Sequence, residues 1–251
     1  MRLKGFLQKA AAILLALLVW QLAALLIDEK ILLVSPIQVT KRLFQLSSDL
    51  LFWQAVLFTF KRITLGFLYG LICGSVLAFL ASKSKLIKTL LWPYMITIKS
   101  VPVASFIVLA IIILSSSAKL SVFISFLMVL PIVYTNLITG TEDEDAKMLE
   151  MANTFKLSRG KRLLYITLPQ IKPYLISAST VSIGLAWKSG VAAELIAQPN
   201  GSMGEALYQA KVHFDTADLF AWTVAIVICS LAFEKLFVFL VKQGFARLEK
   251  L

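Results

Sequence analysis

Two cysteines and one histidine are all the thiol and imidazole in 251 residues. That scarcity excludes a disulfide scaffold, a zinc site built on histidine and cysteine, and a histidine-based catalytic triad. Cys73 and Cys229 lie inside apolar runs, where an isolated thiol acts as a small apolar residue. Seven prolines and 11 glycines are too few for collagen or for a Pro/Gly-rich disordered chain. Charged residues make up only 16% of the chain, against about 25% in an ordinary soluble domain. No G-x-x-x-x-G-K-[ST] occurs, so the chain has no such loop to cradle ATP. The acidic run 142–145 lacks a metal-ligand arrangement, and no catalytic or metal site is expected.

Apolar residues are abundant, at 59%, and they fall in long runs of the kind that cross bilayers. Six such stretches stand out, at residues 10–27, 55–81, 88–114, 120–138, 171–197 and 219–241. They predict an all-α, polytopic membrane bundle of about six transmembrane helices. The first stretch follows Arg2, Lys4 and Lys9 as a signal peptide would, but it is too long and reaches Asp28-Glu29-Lys30 without a small-residue cleavage site. It reads as a retained helix. No internal repeat or linker divides the chain, so 1–251 reads as a single transmembrane domain.

The net charge of +11 comes from bases that flank the apolar runs. Nucleic acid would need a basic, aromatic-interleaved face on a soluble domain, and none is present. The bases serve instead as orientation signals. One side collects the N-terminus, Lys83, Lys85, Lys88, the segment 139–173 and the C-terminus with Lys242, Arg247 and Lys250, fifteen in all. The other side has Lys30, Lys41, Arg42, Lys119, Lys188 and Lys211. This asymmetry predicts a multi-pass protein of the cell membrane with both termini cytoplasmic. Six helices are few for enclosing a solute pathway, so a second copy or a homologous partner is expected.

The longest stretch between spans, about 140–169, carries a pattern of its own. Acids open it, and Met148, Met151, Ala152 and Phe155 then share one helical face. Ser158 is placed to cap a second short helix over 159–166, which Pro169 ends before the fifth span opens. Such a pair of surface helices either rests among lipid headgroups or docks a cytoplasmic partner.

Glu150-Met151-Ala152, followed by Ile166-Thr167-Leu168-Pro169, resembles the cytoplasmic E-A-A loop of permease subunits of binding-protein-dependent ABC importers. The family pattern is E-A-A, three residues, Gly, nine residues, then I-x-L-P. Met151 replaces an Ala, and Lys156 stands where the family has Gly. Glycine there suits a turn with positive φ, and another residue costs roughly 1 kcal/mol, so the turn is expected to change shape. Ser35-Pro36, Arg62 with Gly66, Gly70 and Gly74, Pro102-Val103-Ala104, the run 184–194 ending at Glu194, and Gly201-Ser-Met-Gly204 are similar in order and spacing to the sulfonate/nitrate/taurine-type subgroup. The subgroup's Trp-Phe-Gly ending of the third span is replaced by Ile111-Ile-Ile-Leu-Ser115.

The resemblance implies a type I ABC importer permease. Two permease copies would form the pathway, two cytoplasmic ATPase subunits would bind ATP and magnesium, and an extracytoplasmic solute-binding protein would deliver substrate. This chain would bind no cofactor of its own. The implied contacts with the ATPase are Glu150, Met151, Ala152, Phe155 and Lys156, with Ile166, Leu168 and Pro169 anchoring the loop. Met148, Met151 and Phe155 either meet that partner or pack on the bundle. The subgroup carries sulfonates, nitrate, taurine and pyrimidine vitamin precursors. The alternative function is a secondary transporter or channel working without ATP, for which inverted repeats are not evident.

Within the spans, Gly66, Gly70 and Gly74 form a small-residue stripe, suited either to packing within one subunit or to a dimer seam. Pro93 and Pro102 should bend the third span. Lys99, Lys188 and Glu194 are ionisable residues in apolar surroundings, each a candidate for lining a wet pathway, for snorkelling or for pairing. Trp187, Pro102, Gly201 and Gly204 join them as pathway or gate candidates, and 205–212 reads as a short surface or re-entrant helix.

Overall fold

A computed structural model describes residues 2–27, 29, 31–114 and 116–248, with backbone alone for residues 2–6, Ala118, Arg159 and Leu248. Asp28, Lys30, Ser115 and Lys250, used above for span ends and orientation, lie outside the described residues. The described residues contain no strand. They form α1 (Arg2–Ile27), α2 (Pro36–Ser47), α3 (Leu50–Lys83), α4 (Lys85–Ser100), α5 (Val103–Ile113), α6 (Ser117–Glu142), α7 (Ala146–Thr154), α8 (Arg159–Arg162), α9 (Leu168–Ala197), α10 (Met203–Val212) and α11 (Thr216–Leu248).

The centre of the bundle is α6, held between α3 and α9. Glycines set how closely these backbones approach. A Cβ on Gly70 would lie 2.6 Å from Val129 Cβ, one on Gly74 would lie 2.8 Å from the Leu130 carbonyl oxygen, and one on Gly66 would run into the Val122 carbonyl. The stripe on α3 is therefore spent on α6 of the same chain. Gly190 of α9 completes the triple contact, since a Cβ there would meet Ser125 Oγ at 2.6 Å and Ile63 Cγ1 at 2.8 Å. Around these points Ile63, Phe67, Val129, Val133, Ile183 and Ala186 are fully buried. Phe233 of α11 closes the core, edge-on to Phe60 and Phe67 at 5.6 and 5.5 Å.

Among the described residues four helices are long and apolar enough to cross a membrane, over Leu7–Ile27, Leu50–Lys83, Lys119–Glu142 and Thr216–Arg247, with a fifth if the pair α4 and α5 counts as one broken span. Two expectations change here. The third span is not one helix: α4 and α5 meet at 103°. The break falls at Val101-Pro102, where both residues are extended (φ −76°, ψ 132° and φ −56°, ψ 134°), because proline forces its predecessor out of the helical region. Pro93 is accommodated inside α4. The expected fifth span, α9, has the length, at 30 residues, but not the composition. Serine and glycine dilute it because α3, α6 and α11 cover much of its surface, so it needs less lipid-like side chain.

Helix α2 lies between the first two spans and was not expected. Ser35 Oγ caps it by accepting from Gln38 N, and Pro36 occupies its first turn. Arg42 of α2 is ion-paired with Asp218 of α11. The first helix packs lightly, mainly through Trp20, whose ring lies 5.6 Å from Phe220 and whose Nε1 donates to the Val34 carbonyl at 3.1 Å.

Candidate functional site

The E-A-A segment forms a surface helix whose root is tied by three contacts to α4 and α9. Each tie uses the acidic run at the end of α6. Glu142 is ion-paired with Lys88 at the start of α4. Asp143 Oδ2 accepts from the Tyr174 hydroxyl of α9 at 2.6 Å. Asp145 donates its backbone N–H to Gln170 Oε1 at 2.9 Å and caps α7 by accepting from Lys147 N at 2.9 Å. Tyr174 also packs so close to Gly140 that a Cβ there would lie 2.8 Å from the ring. The run thus does more than complement a helix dipole.

Exposure varies sharply within the face that Met148, Met151, Ala152 and Phe155 share. Ala152 is 2% exposed, covered by the chain itself, while Met148, Met151 and Phe155 are 45%, 44% and 71% exposed and Glu150 points to solvent. The alanine is therefore small because its own protein closes over it, and the outward apolar surface belongs to the two methionines and the phenylalanine.

After α7 the chain turns through Lys156 at φ +50°. Leu157 N donates to the Ala152 carbonyl at 2.9 Å and Lys156 N to the Asn153 carbonyl at 3.0 Å, the paired bonds of a Schellman ending. Lys156 itself takes the left-handed conformation to which glycine is best suited.

The second helix of the loop corrects another expectation. Ser158 does lie at its start, with Lys161 N 3.5 Å from its Oγ, but Pro169 does not end it. α8 passes through a wide π-type turn, Leu163–Thr167, directly into α9, with Leu168 N bonded to the Leu163 carbonyl. The widened turn absorbs a proline that has no N–H to donate and whose ring crowds the preceding turn. Ile166 is 5% exposed, and Leu168 and Pro169 are half-buried beside it.

A polar knot lies at the opposite end of the bundle. Glu194, near the end of α9, is 1% exposed. Its Oε2 accepts from Thr59 Oγ1 of α3 at 2.7 Å and from Gly204 N of α10 at 3.4 Å, while Thr59 Oγ1 accepts from Met203 N at 3.0 Å. One carboxyl and one hydroxyl therefore hold the first turn of α10. Ser202 caps the same turn by accepting from Glu205 N at 3.0 Å, and Gly201, at φ +75°, donates its N–H to Glu205. Gly204 must be glycine, since a Cβ would lie 2.7 Å from the Glu194 carbonyl carbon. The buried Ser121 hydroxyl of α6 lies within interaction reach of the same Glu194 carboxyl.

The other pathway candidates do not join this knot. Trp187 is a core residue, 1% exposed and 5.8 Å from the Phe60 ring. Lys188 and Lys99 are exposed, on α9 and at the end of α4, and Pro102 marks the bend. Thr59, Ser121, Tyr174 and Gln170 were not singled out from the sequence, because ordinary hydroxyl and amide side chains give no local signal of partners far along the chain.

The chain belongs to the family described as binding-protein-dependent transport system inner membrane component, whose profile matches residues 70–249. It is 27% identical over 146 residues to a nitrate import permease protein of Leptolyngbya laminosa, covering 58% of this chain and about half, 52%, of that protein. It is 26% identical over 216 residues to a probable ABC transporter permease protein of Haemophilus influenzae, covering 86% and 87%. A bicarbonate transport system permease protein of Synechococcus elongatus is 22% identical over 146 residues, covering 58% and 52%. The fold is similar to the crystal structure of an amino acid ABC transporter with histidines, at a TM-score of 0.59 and 19% identity over 78% of this chain and 94% of that one.

Proposed function

We propose that this chain is the membrane-spanning subunit of an ABC importer that couples to a separate, ATP-hydrolysing subunit through α7. The observation that carries the reading is the contrast within that helix. Its root is held to α4 and α9, while Met148, Met151 and Phe155 are 45%, 44% and 71% exposed. A rooted helix with an apolar outer face transmits a partner's movement instead of absorbing it. Glu150, beside that face, offers a charged hydrogen bond to the partner.

Two copies of the chain form the pathway in this reading. Each places α7 in a groove of an ATPase subunit that holds ATP and magnesium, and an extracytoplasmic solute-binding protein delivers the solute. The termini and α7 lie on the cytoplasmic side, in keeping with the excess of Lys and Arg there. The solute is a small one, of the kind the sulfonate/nitrate/taurine-type permeases carry, and the relatives named for nitrate and bicarbonate favour an anion.

Reconstitution with a candidate ATPase and solute-binding protein tests the reading. ATP-dependent uptake is expected with the wild type, and Glu150→Lys or Phe155→Asp should abolish it while the bundle still inserts. Uptake that continues without any ATPase would overturn the proposal.

A further inference from the structure

At the end of the bundle remote from α7, α3 and α6 part to form an open groove of about 460 Å³. Phe58, Lys61, Arg62 and Leu65 line it from α3, and Ser116, Lys119 and Val122 from the start of α6. Three of its seven lining residues are cations from two different helices, and no acid is among them. The Arg62 guanidinium sits 3.6 Å from the centre of the Phe58 ring, and Glu194 lies within electrostatic reach of it from the neighbouring knot. Lys61 and Lys119 have no ion-pair or hydrogen-bond partner among the described residues.

This arrangement works against the fold. Lys119 stands in the first turn of α6, where the positive end of the helix disfavours a cation, and that turn carries no acid and no side-chain cap. Lys61 adds like charge across the groove, in a part of the chain otherwise made of membrane-length apolar helices. Nothing in the packing of α3 on α6 calls for it, because that packing is made by Gly66, Gly70 and Gly74 further along. A bound anion would relieve the repulsion, and the uncapped N–H groups of α6 add donors for its oxygens.

We propose that the Lys61–Arg62–Lys119 groove binds a small oxyanion, of nitrate, bicarbonate or sulfonate type, as a station on the path of the transported solute. The proposal rests on the permease reading and deepens it by assigning the residues that hold the solute. The same chemistry would accept the headgroup of an anionic lipid, and the test separates the two.

The full chain is placed in nanodiscs of phosphatidylcholine alone, and nitrate and methanesulfonate are titrated at constant ionic strength against an uncharged amide. The wild type is expected to show saturable, anion-dependent protection against thermal unfolding. Lys61→Gln and Lys119→Gln should each weaken it about tenfold, the loss of one close charge contact, with the anion-free midpoint no lower than that of the wild type. Lys119→Arg should restore it. The proposal is overturned if neither glutamine variant changes the affinity. It is also overturned if no soluble anion protects while adding phosphatidylglycerol does, since the groove then holds lipid. Uptake by the reconstituted importer keeps the two readings apart. ATP-driven uptake that is unimpaired in the double glutamine variant sinks the anion station and leaves the permease standing. ATP-driven uptake of no solute by the wild type sinks the permease reading itself.

Discussion

The two ends of α9 hold opposite kinds of surface. Near its start, α7 keeps its polar ties at the root and turns Met148, Met151 and Phe155 outward. Near its far end Glu194 is sealed inside, and every one of its bonds runs to another element of the same chain. Apolar groups left in the open mark a place awaiting a partner, whereas a buried carboxyl with distant partners marks an internal joint. Mutations should therefore separate the two ends, with stability lost at one and coupling lost at the other.

The largest expected effect is at the knot. Glu194→Ala leaves Thr59 and the Gly204 N–H without their acceptor, and should lower unfolding stability by about 3 kcal/mol, measured as a shifted thermal midpoint in detergent. Gly204→Ala should cost about 2 kcal/mol through overlap with the backbone of α9. Its counterpart in the loop, Gly160→Ala, meets nothing within 4 Å and should be neutral or stabilise by about 0.5 kcal/mol. Equal losses for the two glycines would erase the contrast. Lys156→Gly should raise stability by roughly 1 kcal/mol, because it relieves a left-handed lysine while keeping the Schellman bonds; a loss would mean that the lysine side chain holds the turn. Phe155→Asp should change stability by about 0.5 kcal/mol or less while abolishing ATP-driven uptake in proteoliposomes. Smallest of all, Lys88→Ala breaks a half-exposed ion pair and should cost about 0.5 kcal/mol or less.

How much the sequence revealed follows from the range of each interaction. The long apolar runs of α1, α3, α6 and α11 were legible because lipid exposure writes itself into composition. The break at Pro102 was legible as a bend, but its 103° angle depends on where α5 settles against α6 and α9. Helix α2 escaped because its 12 residues are amphipathic and too short for a span, although Ser35-Pro36 carries the cap signature. Lys156 stood out only as a departure from a glycine, and the structure supplies the reason that position matters. Glu194 was conspicuous as an acid in an apolar run, yet its tie to Thr59 crosses 135 residues of sequence and leaves no local trace. The π-type turn before Leu168 was likewise invisible, since Pro169 reads as a stop until the ladder is seen to widen around it.

That widened turn has a mechanical consequence. With no break between α8 and α9, the loop and α9 make one continuous shaft, about 45 Å long in α9 alone at the usual rise per residue. A torque applied at the loop arrives at the far end of the shaft undamped, where Glu194 grips the first turn of α10.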